Sequence, residues 1–155
     1  MERSAAVEAV FEPVSRPSMF EETVARLGTA IRLGLRGVEI CTNVAGRNLD
    51  DSALRPFFEA AAALGAFVFV HPSAVLAPER LGRYYLTNLL GNPTETAVAI
   101  ASLIFGGLYD TFPTLTCCFA HGGGTFRSLT GRWRHGYAVR EEPHAFGARS
   151  PEEYL

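Results

Sequence analysis

Three short apolar runs constrain the fold of this chain more than any other feature. They are the segments 37–41 (GVEIC), 66–72 (AFVFVHP) and 115–122 (LTCCFAHG). None of them alternates polar with apolar residues, and continuous hydrophobic runs of this length are typical of strands buried on both faces of a parallel sheet. The sequence therefore predicts that these three runs form parallel strands.

The segments before and after the first run have the apolar period of helices. Apolar residues recur every three to four positions from Phe20 to Ile31, and Gly34 is expected to end that helix. A second helix is expected after Asp50-Asp51. Its regular part should begin near Pro56 and end at Gly65, because proline is tolerated only in the first turn and glycine favours the C-terminus.

Two further helices are predicted in the second half of the chain. The segment NPTE suggests Asn92 as the N-cap, Pro93 at the first helical position and Glu95 reaching back to the cap. This helix should end at Gly106-Gly107, and a fourth should follow the glycines at 122–124. Helices that alternate with strands in this way predict an α/β fold built from βαβ units.

The composition narrows the class of protein. A chain of 155 residues with 48% hydrophobic and 19% charged residues has the size and composition of one globular domain. Its net charge of −2 favours neither nucleic acid nor membrane surfaces as partners. The three cysteines contain no CxxC pair, and two of them are adjacent, so we expect free thiols and a cytoplasmic protein.

Two of the predicted strands end in a histidine. His71 follows FVFV and His121 follows CCFA. Because the carboxyl ends of parallel strands meet at one edge of the sheet, the two side chains should point into the same space. Imidazole is both a common metal ligand and a proton carrier near neutral pH. His135 and His144 lie in the predicted fourth helix or the tail, so strand-end histidines alone do not complete a metal site.

The three glycines after His121 allow more than one interpretation. HGGG also occurs in the oxyanion loop of lipases, but the chain has no GxSxG nucleophile motif. A dinucleotide loop is also excluded, because Arg127 stands where the third glycine belongs. Either a tight loop presents backbone amides to an anion, or the glycines form a turn that binds nothing.

The segment 111–140 carries positive charge only. It has no aspartate or glutamate, and its arginines are Arg127, Arg132, Arg134 and Arg140. Guanidinium groups near a site favour bidentate binding of carboxylates. The alternative is a solvated basic helix face, and a nucleic-acid interface is weakly supported because the patch is short and the chain is slightly acidic.

The residues of the central segment resemble those of a known family. GVEICTNVAGRNLDD and LRPFFEAAAALGAFVFVHP are followed by NLLGNPTETAVAIASLIFGG, FPTLTCCFAHGGGTF and GRWRHGY. Over residues 33–140 the chain is similar to the amidohydrolase-related family, and it looks most like the branch of aminocarboxymuconate-semialdehyde and resorcylate-type decarboxylases.

That resemblance implies a (β/α)8 barrel that carries a divalent metal, usually zinc. It also implies that His71 is a metal ligand at the end of the fifth barrel strand, and that His121 is the acid–base on the sixth. Arg132 and Arg140 match positions that bind the substrate carboxylate, across the interface of a homodimer. Gly122 and Gly123 would let the substrate approach the backbone closely.

The chain also departs from the family pattern. It contains no His-x-His metal pair, and it carries no strand ending in the aspartate that the family places late in the barrel. A full barrel takes about 250 residues. We therefore expect residues 1–155 to be a single domain that corresponds to the central part of a barrel, truncated at both ends, with residues 1–19 and 141–155 irregular.

The expected function is metal-dependent, non-oxidative decarboxylation of an aromatic or unsaturated carboxylic acid, a small-molecule substrate. Two alternatives remain open at this point. One is hydrolysis of C–N or C–O bonds at the same kind of metal site, and the other is a catalytically inactive fragment without the missing ligands. An incomplete barrel exposes sheet edges and apolar surface, so self-association is also expected.

Overall fold

The computed structural model describes residues 19–146 and 149–154, with side chains from residue 22 onward. The helices and strands in this part of the chain are α1 Met19–Arg32, β1 Gly37–Cys41, β2 Asn43–Val44, β3 Arg47–Asn48, α2 Arg55–Leu64, β4 Phe67–His71, α3 Asn92–Phe105, α4 Leu108–Thr111, β5 Thr116–Phe119 and α5 Phe126–Val139. Of the predicted irregular opening, residues 1–19, positions 1–18 lie outside the described residues, and Met19 is the first residue of α1.

The three apolar runs form one parallel sheet in the order β1-β4-β5. The α/β class with parallel strands is therefore confirmed. The sequence did not predict the short antiparallel hairpin of β2 and β3. Its turn residues Ala45 and Gly46 both have positive φ, of 51° and 76°, which is the backbone twist that a two-residue hairpin turn needs.

Within the described residues, helices cover one face of this sheet and leave the other open. Val68 and Val70 of β4 are fully buried against a core that includes Phe58 of α2 and Leu103 of α3. The alternate residues of β4 point to the opposite face, where Phe67 is 40% exposed. The prediction that the strands are buried on both faces is wrong for this second face, because no described element packs over it.

The helix ends follow the proline and glycine signals with one exception. The α2 helix begins beside Pro56 and ends at Gly65 in the left-handed conformation, as predicted. Asn92, however, is not an N-cap. A π-helical turn, Thr87–Gly91, runs directly into α3, so Asn92 already has helical backbone angles. The start of α3 is continuous with this turn and needs no side-chain cap.

The described part of the C-terminal tail is short and packs back onto the domain. A 3-10 turn spans Pro151–Tyr154, and the Tyr154 hydroxyl donates a hydrogen bond to Asp110. The Asp110 carboxylate also accepts a bond from Arg149 Nε at 2.8 Å. Among the residues described, no helix has the length and apolar character to cross a bilayer.

Candidate active site

The register of the sheet brings the two strand-end histidines to the same edge. His71 is the last residue of β4 and lies opposite Cys41 of β1. On the other side Val70 is paired with Phe119, and the amide of Ala120 donates to the Val70 carbonyl at 3.0 Å. Ala120 is therefore level with His71 in the sheet, and His121 is the next residue along the chain.

The two imidazole rings converge on one space. Their centroids are 5.3 Å apart and their planes are inclined by 46°. His71 is half-buried, with the Phe69 ring 6.3 Å from its own, and His121 is exposed. The predicted convergence is confirmed, and at this separation both rings can act on one bound molecule or ion. The roles assigned to them remain predictions.

His121 reaches this position through an unusual backbone conformation. Its φ of 56° lies in the left-handed region, which a residue with a side chain adopts at a cost of about 1–2 kcal/mol. A tight turn supports the strained residue, since the amide of Gly124 donates to the His121 carbonyl at 2.9 Å. Strain of this kind is often found at functional sites, where the surrounding structure maintains it.

The glycine loop packs tightly on the start of α3. A Cβ atom at Gly124 would lie 2.0 Å from the carbonyl oxygen of Pro93, and that oxygen accepts the amide of Thr125 at 3.1 Å. The amide of Gly123 donates to Ala120 in the same turn. Close packing therefore explains why position 124 is a glycine. The amides of residues 123–125 are bonded to carbonyls of the chain, so they do not support the anion-binding interpretation.

Gly122 and Gly123 differ in their surroundings. Gly122 is exposed, and no atom lies within 4 Å of the position where its Cβ would stand. Gly123 is buried, next to Phe126 and Ile100. Of the two predicted substrate-binding glycines, Gly122 therefore has room for a ligand beside its backbone.

A buried threonine contacts the exposed histidine. Thr96 of α3 is fully buried, and its hydroxyl oxygen lies 3.2 Å from Nδ1 of His121. The same hydroxyl lies 2.9 Å from the carbonyl oxygen of Asn92, one turn earlier in the helix. Sequence reasoning missed Thr96, because one threonine within an apolar helix carries no pattern of its own.

Glu95 organises the loops around the same edge of the sheet. It is 3% exposed, and its carboxylate accepts hydrogen bonds from Asn43 Nδ2 at 2.9 Å and from the amide of Leu76 at 3.1 Å. Asn43 also donates to the Ala74 carbonyl at 3.2 Å. The carboxylate thereby ties the hairpin after β1 to the loop after β4. The prediction that Glu95 reaches back to cap its own helix is wrong.

The predicted carboxylate-binding arginines lie on α5 and at its end. Arg132 is exposed, and Arg140 forms an exposed ion pair with Glu142 at 2.6 Å. Arg140 follows the last residue of α5, about 21 Å along the axis from the start of the helix at 1.5 Å per residue. The structure therefore does not place Arg140 beside the histidines of its own chain. Its predicted role would need a second subunit.

A groove of about 830 Å³ runs along β5 and the glycine loop. Gly122, Gly123 and Arg127 line one part of it, and Cys117 with Tyr109 lines another.

Burial raises the pKa of the Cys117 thiol to about 11. Burial, with smaller contributions from Cys117, also raises the pKa of Tyr109 well above its usual range. Both groups are therefore uncharged at neutral pH.

The described residues do not form a complete metal site. No group of three or more histidine, cysteine, aspartate or glutamate side chains comes together among them. A catalytic divalent site normally takes about three protein ligands, and the two imidazoles are fewer than this. His71 can supply one ligand, and the rest of a site would have to come from other residues.

The chain belongs to the amidohydrolase family, whose sequence model matches residues 3–153. It is similar to the 2-amino-3-carboxymuconate-6-semialdehyde decarboxylase of Dictyostelium discoideum, with 45% identity over 126 residues. That match covers 81% of this chain and 35% of the relative. The chain thus spans about a third of the length of this relative.

Two solved structures share the architecture. The 5-carboxyvanillate decarboxylase of Sphingomonas paucimobilis superposes with a TM-score of 0.72 at 27% identity, over 89% of this chain and 42% of that one. A dihydroxybenzoic acid decarboxylase from a Polaromonas species, solved with bound manganese, gives a TM-score of 0.70 at 24% identity over 84% and 43%. The sheet described here is therefore part of the (β/α)8 barrel of this family.

Proposed function

We propose that this protein is a metal-dependent, non-oxidative decarboxylase that acts on an aromatic or unsaturated carboxylic acid. The observation that carries the proposal is the convergence of His71 and His121, with ring centroids 5.3 Å apart, at adjacent strand ends. Support comes from a relative of 45% identity that is a decarboxylase. An active site at the carboxyl ends of the strands is also the rule for barrels of this type.

The proposed reaction needs a group that delivers a proton to carbon. The bond between the carboxylate carbon and the substrate breaks, carbon dioxide leaves, and the electron pair that remains on the substrate carbon takes up one proton. His121 is exposed at the carboxyl edge of the sheet and can donate that proton, since histidine is the side chain that most often acts as a general acid.

The proposed cofactor is a divalent metal, most simply zinc, with His71 as one ligand. When bound, such an ion supplies Lewis acidity toward the oxygens of a carboxylate substrate. Manganese in the Polaromonas relative makes it the second candidate. Because the described residues hold too few ligands, the metal content of the purified protein is the measurement that tests this part.

The substrate carboxylate is proposed to bind to arginine. Arg132 and Arg140 are the candidates, in a homodimer that brings one subunit's α5 to the site of the other. Gly122 would allow the substrate to lie close to the backbone, beside Gly123. The helix α5 itself carries no acidic side chain beside these arginines, since the segment 111–140 has no aspartate or glutamate.

Hydrolysis of a C–N or C–O bond is the second candidate, favoured only by the match to the amidohydrolase family. A panel assay separates the two functions. The protein, supplied with zinc or manganese, is incubated with hydroxybenzoates and unsaturated amino dicarboxylates, and carbon dioxide release is compared with hydrolysis of amides and lactones. Carbon dioxide release supports the proposal, whereas hydrolysis alone, or neither activity, contradicts it.

The proposed location is the cytoplasm. Cys41, Cys117 and Cys118 are all free thiols, as expected for a protein in a reducing compartment. Cys117 and Cys118 are adjacent in β5, so their side chains point to opposite faces of the sheet.

A further inference from the structure

We infer that Thr96 is a positioning residue that sets the tautomer of His121, with the proton on Nδ1 and the lone pair on Nε2. The inference deepens the proposed function, because it identifies which nitrogen of His121 faces the substrate. It starts from the two short contacts of the Thr96 hydroxyl, 2.9 Å to the Asn92 carbonyl and 3.2 Å to Nδ1 of His121.

The hydroxyl has one hydrogen to give and lone pairs with which to accept. The carbonyl of Asn92 can only accept, and it is the nearer of the two partners. A helical threonine commonly donates to the carbonyl four residues earlier, which is the geometry seen here. With the hydrogen directed at Asn92, the oxygen presents a lone pair to His121, so Nδ1 has to be the donor.

The burial of Thr96 strengthens its preference for one tautomer of His121. Its side chain is fully buried, so water cannot supply a replacement partner for the hydroxyl. The hydroxyl keeps its bond to Asn92 in either tautomer, so the tautomers differ only in what fills the 3.2 Å contact with His121. With the proton on Nε2, a lone pair of Nδ1 would face a lone pair of the hydroxyl oxygen at this distance, and the two would repel each other. The Nδ1–H tautomer avoids that repulsion.

Backbone contacts hold Thr96 and His121 next to each other. The Pro93 carbonyl, one turn before Thr96, accepts the amide of Thr125, and Gly124 packs against the same carbonyl. These contacts attach the loop after β5 to the first turn of α3. These main-chain contacts at Pro93 therefore hold Thr96 close to His121.

The tautomer determines which nitrogen of His121 can exchange a proton with a bound molecule. With Nδ1–H donated to Thr96, the nitrogen that exchanges a proton with a bound molecule is Nε2. When the ring carries both protons, Nδ1–H still has its acceptor, so Nε2–H is the proton available for transfer. Removal of a partner that orients a metal-bound histidine typically lowers metal affinity or activity by about 10- to 100-fold, and we expect an effect of similar size for His121.

The test is the tautomer of His121 in the free protein, read from long-range ¹⁵N–¹H correlation spectra of histidine-labelled chain above the pH at which the ring is charged. The assignment uses the His121→Gln variant. We expect Nδ1–H in the wild type, retention in Thr96→Ser and loss of the Nδ1–H preference in Thr96→Val. Thr130→Val, which removes a hydroxyl bonded to the Arg127 carbonyl of α5, should leave the spectrum unchanged.

An Nε2–H tautomer in the wild type would overturn the inference, and so would a Thr96→Val variant that keeps the Nδ1–H form. The wild-type spectrum decides even if Thr96→Val fails to fold. The measurement requires neither metal nor substrate, so its failure is distinguishable from failure of the decarboxylase assay. Where carbon dioxide release is observed, Thr96→Val should lower it about 10- to 100-fold and Thr96→Ser should restore most of it.

Discussion

Gly124 and Pro93 are in such close contact that no side chain fits between them: a Cβ at position 124 would lie 2.0 Å from the Pro93 carbonyl oxygen. This contact attaches the loop that carries His121 to the helix that carries Thr96. The packing of a backbone on a backbone, rather than a ligand, accounts for the last glycine of the HGGG segment.

Gly124→Ala is therefore expected to destabilise the protein. The added methyl group overlaps a carbonyl that cannot move freely, and overpacking of this kind costs about 1–3 kcal/mol. The backbone angles of Gly124, φ 62° and ψ −134°, lie in a region that is essentially restricted to glycine, which adds strain for any residue with a side chain. Thermal unfolding followed by circular dichroism measures the effect. Gly122→Ala is the control, since Gly122 is in the ordinary left-handed conformation (φ 60°, ψ 29°) with open space around it, and it should cost only about 1 kcal/mol. Equal losses in both variants would contradict the packing argument.

Glu95→Gln should weaken the connection between the two loops at the site. One of the two donors, Asn43 Nδ2 or the Leu76 amide, would face the NH₂ group of the new amide instead of an acceptor. A buried donor without a partner costs about 1–3 kcal/mol. Urea denaturation is the measurement, and Glu59→Gln, at an exposed position of α2, is the control. A stability within about 0.5 kcal/mol of wild type would show that the carboxylate is not needed there.

The stability of the protein should fall at alkaline pH. Burial raises the pKa of Cys117 from about 9 to about 11, so the folded state holds its proton more tightly than the unfolded state does. The stabilisation is complete below about pH 9 and is lost as the pH rises toward about 11. Urea midpoints across this range measure the decline, and Cys117→Ala should flatten it. An unchanged pH dependence in that variant would assign the decline to other groups, with Tyr109 the first candidate because its pKa is also raised.

The open face of the sheet is expected to cause self-association. Phe67 lies on that face and is 40% exposed, and no described helix covers it. Replacement by lysine should shift the protein toward smaller species in sedimentation velocity, because an exposed apolar sheet face favours association and a charge opposes it. Phe146→Lys, at a 72% exposed position in the tail, is the control. A wild type that is monomeric at high concentration would contradict the expectation.

The sequence predicted the sheet well and the site in part. β1 begins and ends where the apolar run 37–41 does, because uninterrupted apolar residues mark a strand directly. The positions of His71 and His121 followed from the rule that parallel strands share one carboxyl edge. The hairpin at 43–48 was missed because its polar residues resemble a loop, and its pairing depends on two positive φ angles.

The parts that the sequence did not predict depend on contacts between distant segments. Asn92 and Glu95 fit a capping pattern, but the helical turn before Asn92 removes the need for a cap, and Glu95 instead bonds loops far away in the chain. Thr96 meets His121 only because α3 packs against the loop after β5. Local sequence patterns report on local structure, and these hydrogen bonds are not local.

The most direct test of a shared His71–His121 site is the rate of carbon dioxide release in single alanine variants of each histidine, measured on metal-supplied protein with the best substrate of the panel. We expect His71→Ala and His121→Ala each to lose at least about 100-fold, as removal of a ligand or an acid–base group does, with unchanged circular dichroism. His135→Ala, an exposed histidine of α5, should keep wild-type activity. Activity retained in both the His71 and His121 variants would contradict the assignment of the site.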